Sequence, residues 1–430
     1  MSSTTTKVIT RAKRLSGLVR IPGDKSISHR YAILAAIAEG KSHIHSFAES
    51  VDCQSTLECL KKLNVKIDRK GSEVTVEGTG LGGLQISADP LDAGNSGSTI
   101  RMMSGILSGQ PFRTVIGGDA SLSRRPMKRI IEPLTRMGAR ITSTGGGLPP
   151  LTIEGGNLVP IHYELPVASA QVKTAVLFAG LYADGVTEVV EPHLTRNHSE
   201  IALKEFGAEI DRQENTISIR GRSHLVAQEL TVPGDISSAA FFLVAGLLIP
   251  ESELTFENIG LNPTRTAILD YLRSIGGDIS TLGCECRNGE LVGNVRVKAG
   301  SLRGGAVPTE SIPGLIDELP VLAVLGTQTE EGVVFRGAQE LRVKESDRIA
   351  AVADNLRRMG AEVEEFPDGM RIPGRQRLKG AEISSYGDHR IAMAFSIAGL
   401  VADGTTTIDD SGCVQISFPT FFEKIAQVSN

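Results

Sequence analysis

The sequence predicts an α/β protein of two lobes, each made of three repeated units of βαβαββ type in which one helix is buried on every side. Three observations predict it: a short phrase recurs five times, an Ala-rich apolar run alternates with it six times, and two matching turns lie about half a chain apart. The recurring phrase is Leu, two mostly polar residues, a bulky apolar residue, Gly or Asn, two further residues and then Ile or Val. It reads LKKLNVKI (Leu60 to Ile67), LTRMGARI (Leu134 to Ile141), LKEFGAEI (Leu203 to Ile210), LRSIGGDI (Leu272 to Ile279) and LRRMGAEV (Leu356 to Val363). This is the pattern of an amphipathic outer helix that stops at Asn64, Gly138, Gly207, Gly276 or Gly360 and continues as a strand. A left-handed helix-ending conformation costs least for Gly and is tolerated by Asn. The closing FFEKIAQV reads as a truncated sixth copy.

The alternating runs are YAILAAIAEG, RMMSGILSG, TAVLFAGLYADG, AAFFLVAGLLIP, LPVLAVLGTQTEEG and IAMAFSIAGLVADG. A helix apolar all round is buried all round. Short β-branched segments such as EVTVEG, RTVIGG and TEVVEP supply the strands. The turns IPGDKS (Ile21 to Ser26) and VPGDIS (Val232 to Ser237) divide the chain, giving one lobe over 23–233 and a second over 234–430.

Composition narrows the function classes. A net charge of -5, 4% aromatic residues and no Trp argue against a nucleic-acid clamp, which needs a basic stripe and stacking aromatics, and against attraction to anionic membranes. No apolar run reaches membrane-spanning length, and the opening MSSTTTKVITRAKRL lacks the apolar core of a secretory signal. The five Cys form neither an even disulfide framework nor a zinc-spaced set, so a reducing, cytoplasmic setting is expected.

Polar, turn-forming residues stand before the buried runs: PGDKSISHR, AGNSGST, PVASAQVK, PGDISS, PGLIDE and YGDHR. Helix N-termini carry unpaired N–H groups and partial positive charge, so several together, with cations interleaved, point to phosphate and carboxylate ligands. In GDKSISHR, Lys25 is expected just before the helix and Arg30 about one turn on, with hydroxyls between them. AGNSGSTIR allows close backbone approach to a ligand but lacks the Lys of a nucleotide-binding P-loop. GTGLGG has the formal dinucleotide pattern, yet LQISADP follows it, so it is read as a turn. In SRRP, Pro126 suits a first helical turn and the Arg beside it a carboxylate or phosphate. SAQVK offers Ser169 and Gln171 as uncharged donors. Asp317, Glu318, KESDR and GDHR mix carboxylates with cations.

Taken in order, GDKSISHR, GNSG, SRRP, SAQVK, KESDR and GDHR resemble the enolpyruvyl transferase family, in its class II-like branch, over nearly the whole chain. The resemblance implies an inside-out α/β barrel in each lobe, with residues 1–22 returning to the second. It implies transfer of the enolpyruvyl group of phosphoenolpyruvate to the 5-hydroxyl of shikimate 3-phosphate, releasing phosphate through a tetrahedral intermediate, a step toward chorismate and the aromatic amino acids. By the same resemblance, Lys25, Ser26, Arg30, Ser169, Ala170, Gln171, Asp317 and Lys344 contact shikimate 3-phosphate. Lys25, Gly97, Arg125, Gln171, Arg348 and Arg390 contact phosphoenolpyruvate. Asp317 accepts the hydroxyl proton, and Lys25 or Glu345 handles the proton at the methylene carbon. Arg101 and Arg196 stand at family-like positions.

The resemblance also implies a monomer acting on small molecules without a cofactor or metal. Charge-assisted hydrogen bonds contribute roughly 1.5 to 3 kcal/mol each, so two phosphates and two carboxylates account for this many Lys and Arg. The family's frequent C-terminal Lys is replaced by Ile416, so no phosphate contact is assigned there. Gly97 is the compact form of its position, which leaves room for the phosphonate glyphosate. A sister activity toward UDP-N-acetylglucosamine is disfavoured because no Cys lies between Arg113 and Arg136. A non-catalytic phosphate-binding scaffold would not need Asp317 and Glu345.

Overall fold

Each apolar run forms a helix, and five of the six helices begin earlier than the run, the exception starting with its run at Leu319. In the computed structural model, which describes residues 5–429, the inner helices are Lys25–Ile37, Gly97–Ser108, Ala170–Gly180, Ile236–Leu248, Leu319–Gly326 and His389–Val401. The turn-forming residues therefore supply the caps and first turns. Asp24, Ser96, Ser169, Asp235 and Asp388 each accept a hydrogen bond from a backbone N–H two or three residues on. This corrects the placing of Lys25: it is the first residue of its helix, because Asp24 caps it. Pro126 is corrected too, since the helix after it starts at Lys128 with Met127 at the cap position.

The five recurring phrases form the expected outer helix and strand. Asn64, Gly138, Gly207, Gly276 and Gly360 all have positive φ, between 66° and 112°. GTGLGG lies at a strand end and in the turn that follows, with no helix after it.

The chain packs as two units with separate apolar cores. One comprises Gly23–Val232 with Cys286–Glu290, here called the middle unit. The other, the terminal unit, comprises Pro22 and the described residues before it, Pro233–Glu285, and the described residues from Leu291 on.

In the middle unit, Glu39–His45 pairs antiparallel with Glu73–Thr79, which pairs antiparallel with Lys66–Lys70. Arg113–Gly117 with Leu148–Glu154 and Arg140–Thr144, and Val186–Val190 with Thr216–Arg220 and Ile210–Gln213, repeat that order. A parallel edge strand completes each sheet: Leu91–Asp92 and His162–Glu164 come from the end of the preceding repeat, and Glu229–Thr231 returns from the third repeat to the first. The repeats thus close in a ring around their inner helices. Gly105 lets two of these helices touch, since a Cβ there would lie 2.3 Å from the Ala175 carbonyl oxygen.

The terminal unit closes the same way using both ends of the chain. Lys7–Thr10 pairs antiparallel with Thr405–Ile408 in the sixth repeat, and Ser16–Val19 runs parallel to Glu253–Gly260 in the fourth. The truncated sixth phrase forms the helix Phe421–Val428, and in its three-stranded sheet Lys7–Thr10 takes the place that the last strand of the repeat holds elsewhere. Among the described residues no helix is long and apolar enough to cross a membrane.

Candidate active site

In the middle unit the expected ligand-binding residues gather at inner-helix N-termini. Lys25 Nζ stands 3.0 Å from Asp52 Oδ2, which lies in the first turn of the neighbouring helix Val51–Lys62. One turn on, Arg30 is 2% exposed. It donates from Nε to Ser199 Oγ at 2.7 Å, from Nη2 to Thr174 Oγ1 at 2.9 Å and from Nη1 to the Ser26 carbonyl oxygen at 2.8 Å. All three acceptors are neutral. Burial, with a further push from nearby Arg196, lowers the Arg30 pKa to about 10 against the pull of Glu200 and Asp24.

Around Gly97 the helix start is crowded by cations. A Cβ added there would stand 2.7 Å from Arg101 Nη1 and 3.4 Å from Arg125 Nη1. Arg101 donates to Gln171 Oε1 at 2.6 Å, and Gln171 Nε2 donates to Ser98 Oγ at 3.0 Å. Buried Arg125 donates from Nη2 to Asn95 Oδ1 at 2.8 Å and to Ser121 Oγ at 3.2 Å. Arg124 beside it is exposed, so only one of the two arginines of SRRP joins the cluster. Ser169 caps the helix whose first residues are Ala170 and Gln171. Two guanidinium groups, a carboxamide and the N-terminal N–H groups of the helix at Gly97 are thereby close together. Such a set suits a phosphate or carboxylate.

The terminal unit is built on carboxylates. Arg348, 1% exposed, is the first residue of the helix Arg348–Arg358. It donates to Asp388 Oδ2 at 2.9 Å and to Glu345 Oε2 at 2.5 Å, and its Nη1 is 3.6 Å from Asp317 Oδ1. Burial would lower its pKa, but Asp388, Glu345 and Asp317 outweigh burial and raise it. Reciprocally, Asp388 is held below the ordinary carboxylate range by Arg348 despite its own burial. Arg390 donates to the Asp317 carbonyl oxygen at 2.8 Å and lies 3.8 Å from the Asp317 carboxylate. Asp317, Glu345, Arg348 and Arg390 are thus brought together. Lys344 is half-buried and makes no hydrogen bond or ion pair among the described residues.

Residues 9–425 match the family model described as EPSP synthase (3-phosphoshikimate 1-carboxyvinyltransferase). The chain belongs to the EPSP synthase family. A relative from Solibacter usitatus named 3-phosphoshikimate 1-carboxyvinyltransferase is 52% identical over 98% of this chain and 99% of its own. One of the same name from Bacillus cereus is 49% identical over 96% and 97%. The solved EPSP synthase of Acinetobacter baumannii superposes with a TM-score of 0.89 at 42% identity, covering 99% of this chain and 98% of that one. The enolpyruvyl transferase NikO from Streptomyces tendae, at 18% identity, shares the fold with a TM-score of 0.79 over 98% of this chain and 96% of that one.

This EPSP synthase family member also contains supports that the motif reading missed. Lys173, wholly buried, lies 3.1 Å from Glu191 and 2.7 Å from Glu200, and Arg212 bridges the same two carboxylates at 3.0 and 3.2 Å. A Lys inside the otherwise apolar helix Ala170–Gly180 was the available signal, because a buried ammonium requires a carboxylate partner. His198 meets Glu290 at 2.6 Å, both nearly sealed from water. Ser199 and Thr174, which hold Arg30, carried no motif of their own.

Proposed function

We propose that the protein transfers the enolpyruvyl group of phosphoenolpyruvate to the 5-hydroxyl of shikimate 3-phosphate, as a cytoplasmic monomer that needs no metal or cofactor. The observation that carries the reading is the cluster of Gly97, Arg101, Arg125 and Gln171 at the start of an inner helix, in a chain of the EPSP synthase family. In the middle unit, Lys25, Ser26, Arg30, Ser169, Ala170 and Gln171 are assigned to shikimate 3-phosphate. Lys25, Gly97, Arg125 and Gln171 are assigned to phosphoenolpyruvate. The terminal unit contributes Asp317 and Lys344 to the former and Arg348 and Arg390 to the latter.

The 5-hydroxyl oxygen adds to the central carbon of phosphoenolpyruvate while the methylene carbon gains a proton. The tetrahedral adduct then expels phosphate and loses a methyl proton, leaving the enol ether. Asp317 takes the hydroxyl proton, and Lys25 or Glu345 handles the proton at carbon. Fixed cations around both anions are the preorganised electrostatics that lower such a barrier most. The cations gathered at Gly97 suit the phosphonate of glyphosate as well, which makes it a competitor of phosphoenolpyruvate.

The test is phosphate release from phosphoenolpyruvate with shikimate 3-phosphate, run beside UDP-N-acetylglucosamine with a chelator in every tube. Release only with shikimate 3-phosphate, abolished in Asp317→Ala, is expected. Release with the nucleotide sugar, or with neither acceptor, overturns the proposal.

A further inference from the structure

We propose that His29 is a positioning residue for the Asn95–Gly97 turn, acting through Thr56 and Thr99. The proposal rests on the reading above that this turn holds the phosphoenolpyruvate anion.

His29, Thr56, Thr99 and Ser96 are all wholly buried, and they form one chain across three helices. His29 Nδ1 lies 2.7 Å from Thr56 Oγ1, Thr56 Oγ1 lies 2.7 Å from Thr99 Oγ1, and Thr99 Oγ1 donates to Ser96 Oγ at 2.7 Å. Ser96 Oγ also accepts from the Thr99 N–H at 3.0 Å, which is its capping bond. Among the described residues, His29 Nε2 is buried without a hydrogen-bond partner.

That last fact orders the chain. Were the ring proton on Nε2, a buried N–H would have no acceptor, an arrangement that folded proteins avoid. The proton therefore belongs on Nδ1, which donates to Thr56. Thr56 then donates to Thr99 and Thr99 to Ser96, so all links run in one direction. The ring stays neutral, because burial foremost, then Lys25 and Arg30 against the pull of Asp24, pushes its pKa down to about 3.

The chain ends where the anion contacts begin. Ser96 fixes the first turn of the helix that starts at Gly97, and Asn95, next to it, holds Arg125. The chemistry borne by His29's own helix has separate anchors, Lys25 on Asp52 and Arg30 on Ser199 and Thr174. Loss of the imidazole should therefore disturb phosphoenolpyruvate more than shikimate 3-phosphate.

The experiment compares the full-length wild type with His29→Leu, His29→Asn, Thr99→Val and Thr99→Ser, after first establishing that the wild type releases phosphate from the two substrates. Leu at 29 is expected to raise KM for phosphoenolpyruvate about tenfold and to leave KM for shikimate 3-phosphate within about twofold. Asn, whose side-chain amide reaches where Nδ1 stands, should recover most of that loss. Thr99→Val should behave as His29→Leu, and Thr99→Ser as wild type. An unchanged KM for phosphoenolpyruvate, an equal rise in both constants, or an Asn variant as impaired as Leu overturns the proposal.

A second readout does not depend on activity. The imidazole nitrogen spectrum of ¹⁵N-histidine-labelled protein should show His29 as the Nδ1–H tautomer, unchanged from about pH 5 to 8. An Nε2–H tautomer or a ring titrating in that range overturns it. If the wild type releases no phosphate, the functional reading fails on its own, and the spectrum still decides the hydrogen-bond order. If His29→Leu does not fold, the Thr99 pair and the spectrum carry the test.

Discussion

Arg30 in the middle unit and Arg348 in the terminal unit are almost equally buried, yet they are held in opposite ways. Arg30 donates its hydrogen bonds to two hydroxyls and a carbonyl, and its pKa falls. Arg348 stands among Asp317, Glu345 and Asp388, and its pKa rises. Neutral dipoles orient a guanidinium without cancelling its field, so Arg30 keeps its positive potential for an incoming anion. Carboxylates at contact cancel much of that field but make the charge inexpensive to bury. That field suits the phosphate assigned to the middle unit in the proposed function. In the terminal unit a cation also organises the acidic groups, Asp317 and Glu345, to which proton transfer is assigned.

The largest effect should come from breaking the carboxylate-held arginine. Arg348→Met leaves Asp388 and Glu345 buried or half-buried without their cation, and about 3 to 5 kcal/mol of stability should be lost, read by denaturant unfolding of the variant. A loss under about 1 kcal/mol would mean the carboxylates simply take up protons, and the contrast with Arg30 would collapse. Next, Ser199→Ala combined with Thr174→Val removes two neutral acceptors of Arg30. Each link contributes about 1 kcal/mol, so KM for shikimate 3-phosphate should rise roughly ten- to thirtyfold while phosphoenolpyruvate is little affected.

Smaller again is Gly97→Ala. Its methyl would push Arg101 off its 2.7 Å position and loosen the bond to Gln171, raising KM for phosphoenolpyruvate roughly fivefold. An unchanged value would mean that Arg101 rearranges at no cost.

The least should come from His45, an exposed imidazole bonded to Glu229 and Glu73, which raise its pKa. A raised pKa in the folded state means the contribution is complete below the unfolded value near 6.5 and disappears as pH rises through the folded value. His45→Gln should accordingly flatten a slight fall in melting temperature above neutral pH. Exposed pairs are weak, so a change as large as that of Arg348→Met would erase the distinction between surface and buried charges.

The repeats are legible in the amino-acid sequence. Period, Gly or Asn at the helix ends, and Ser or Asp at the caps are local signals, and local backbone energetics enforce them at Asn64, Gly138, Gly207, Gly276 and Gly360. It also carried the motifs in which Lys25, Gly97, Arg125, Gln171, Asp317, Arg348 and Arg390 stand, because short polar stretches before apolar helices mark themselves. What it did not disclose is which oxygen meets which nitrogen. Arg30 and Ser199 are 169 residues apart, and Lys173 finds Glu191 and Glu200 only after its helix is buried. The exchange of strands that closes each ring, with Lys7–Thr10 completing the sixth repeat, has no local signature either. Such partners are selected by packing between elements distant in sequence, where a buried charge or hydroxyl must be satisfied by whatever the fold brings within about 3 Å. Packing of that kind is what surrounds Arg30 with dipoles and Arg348 with carboxylates.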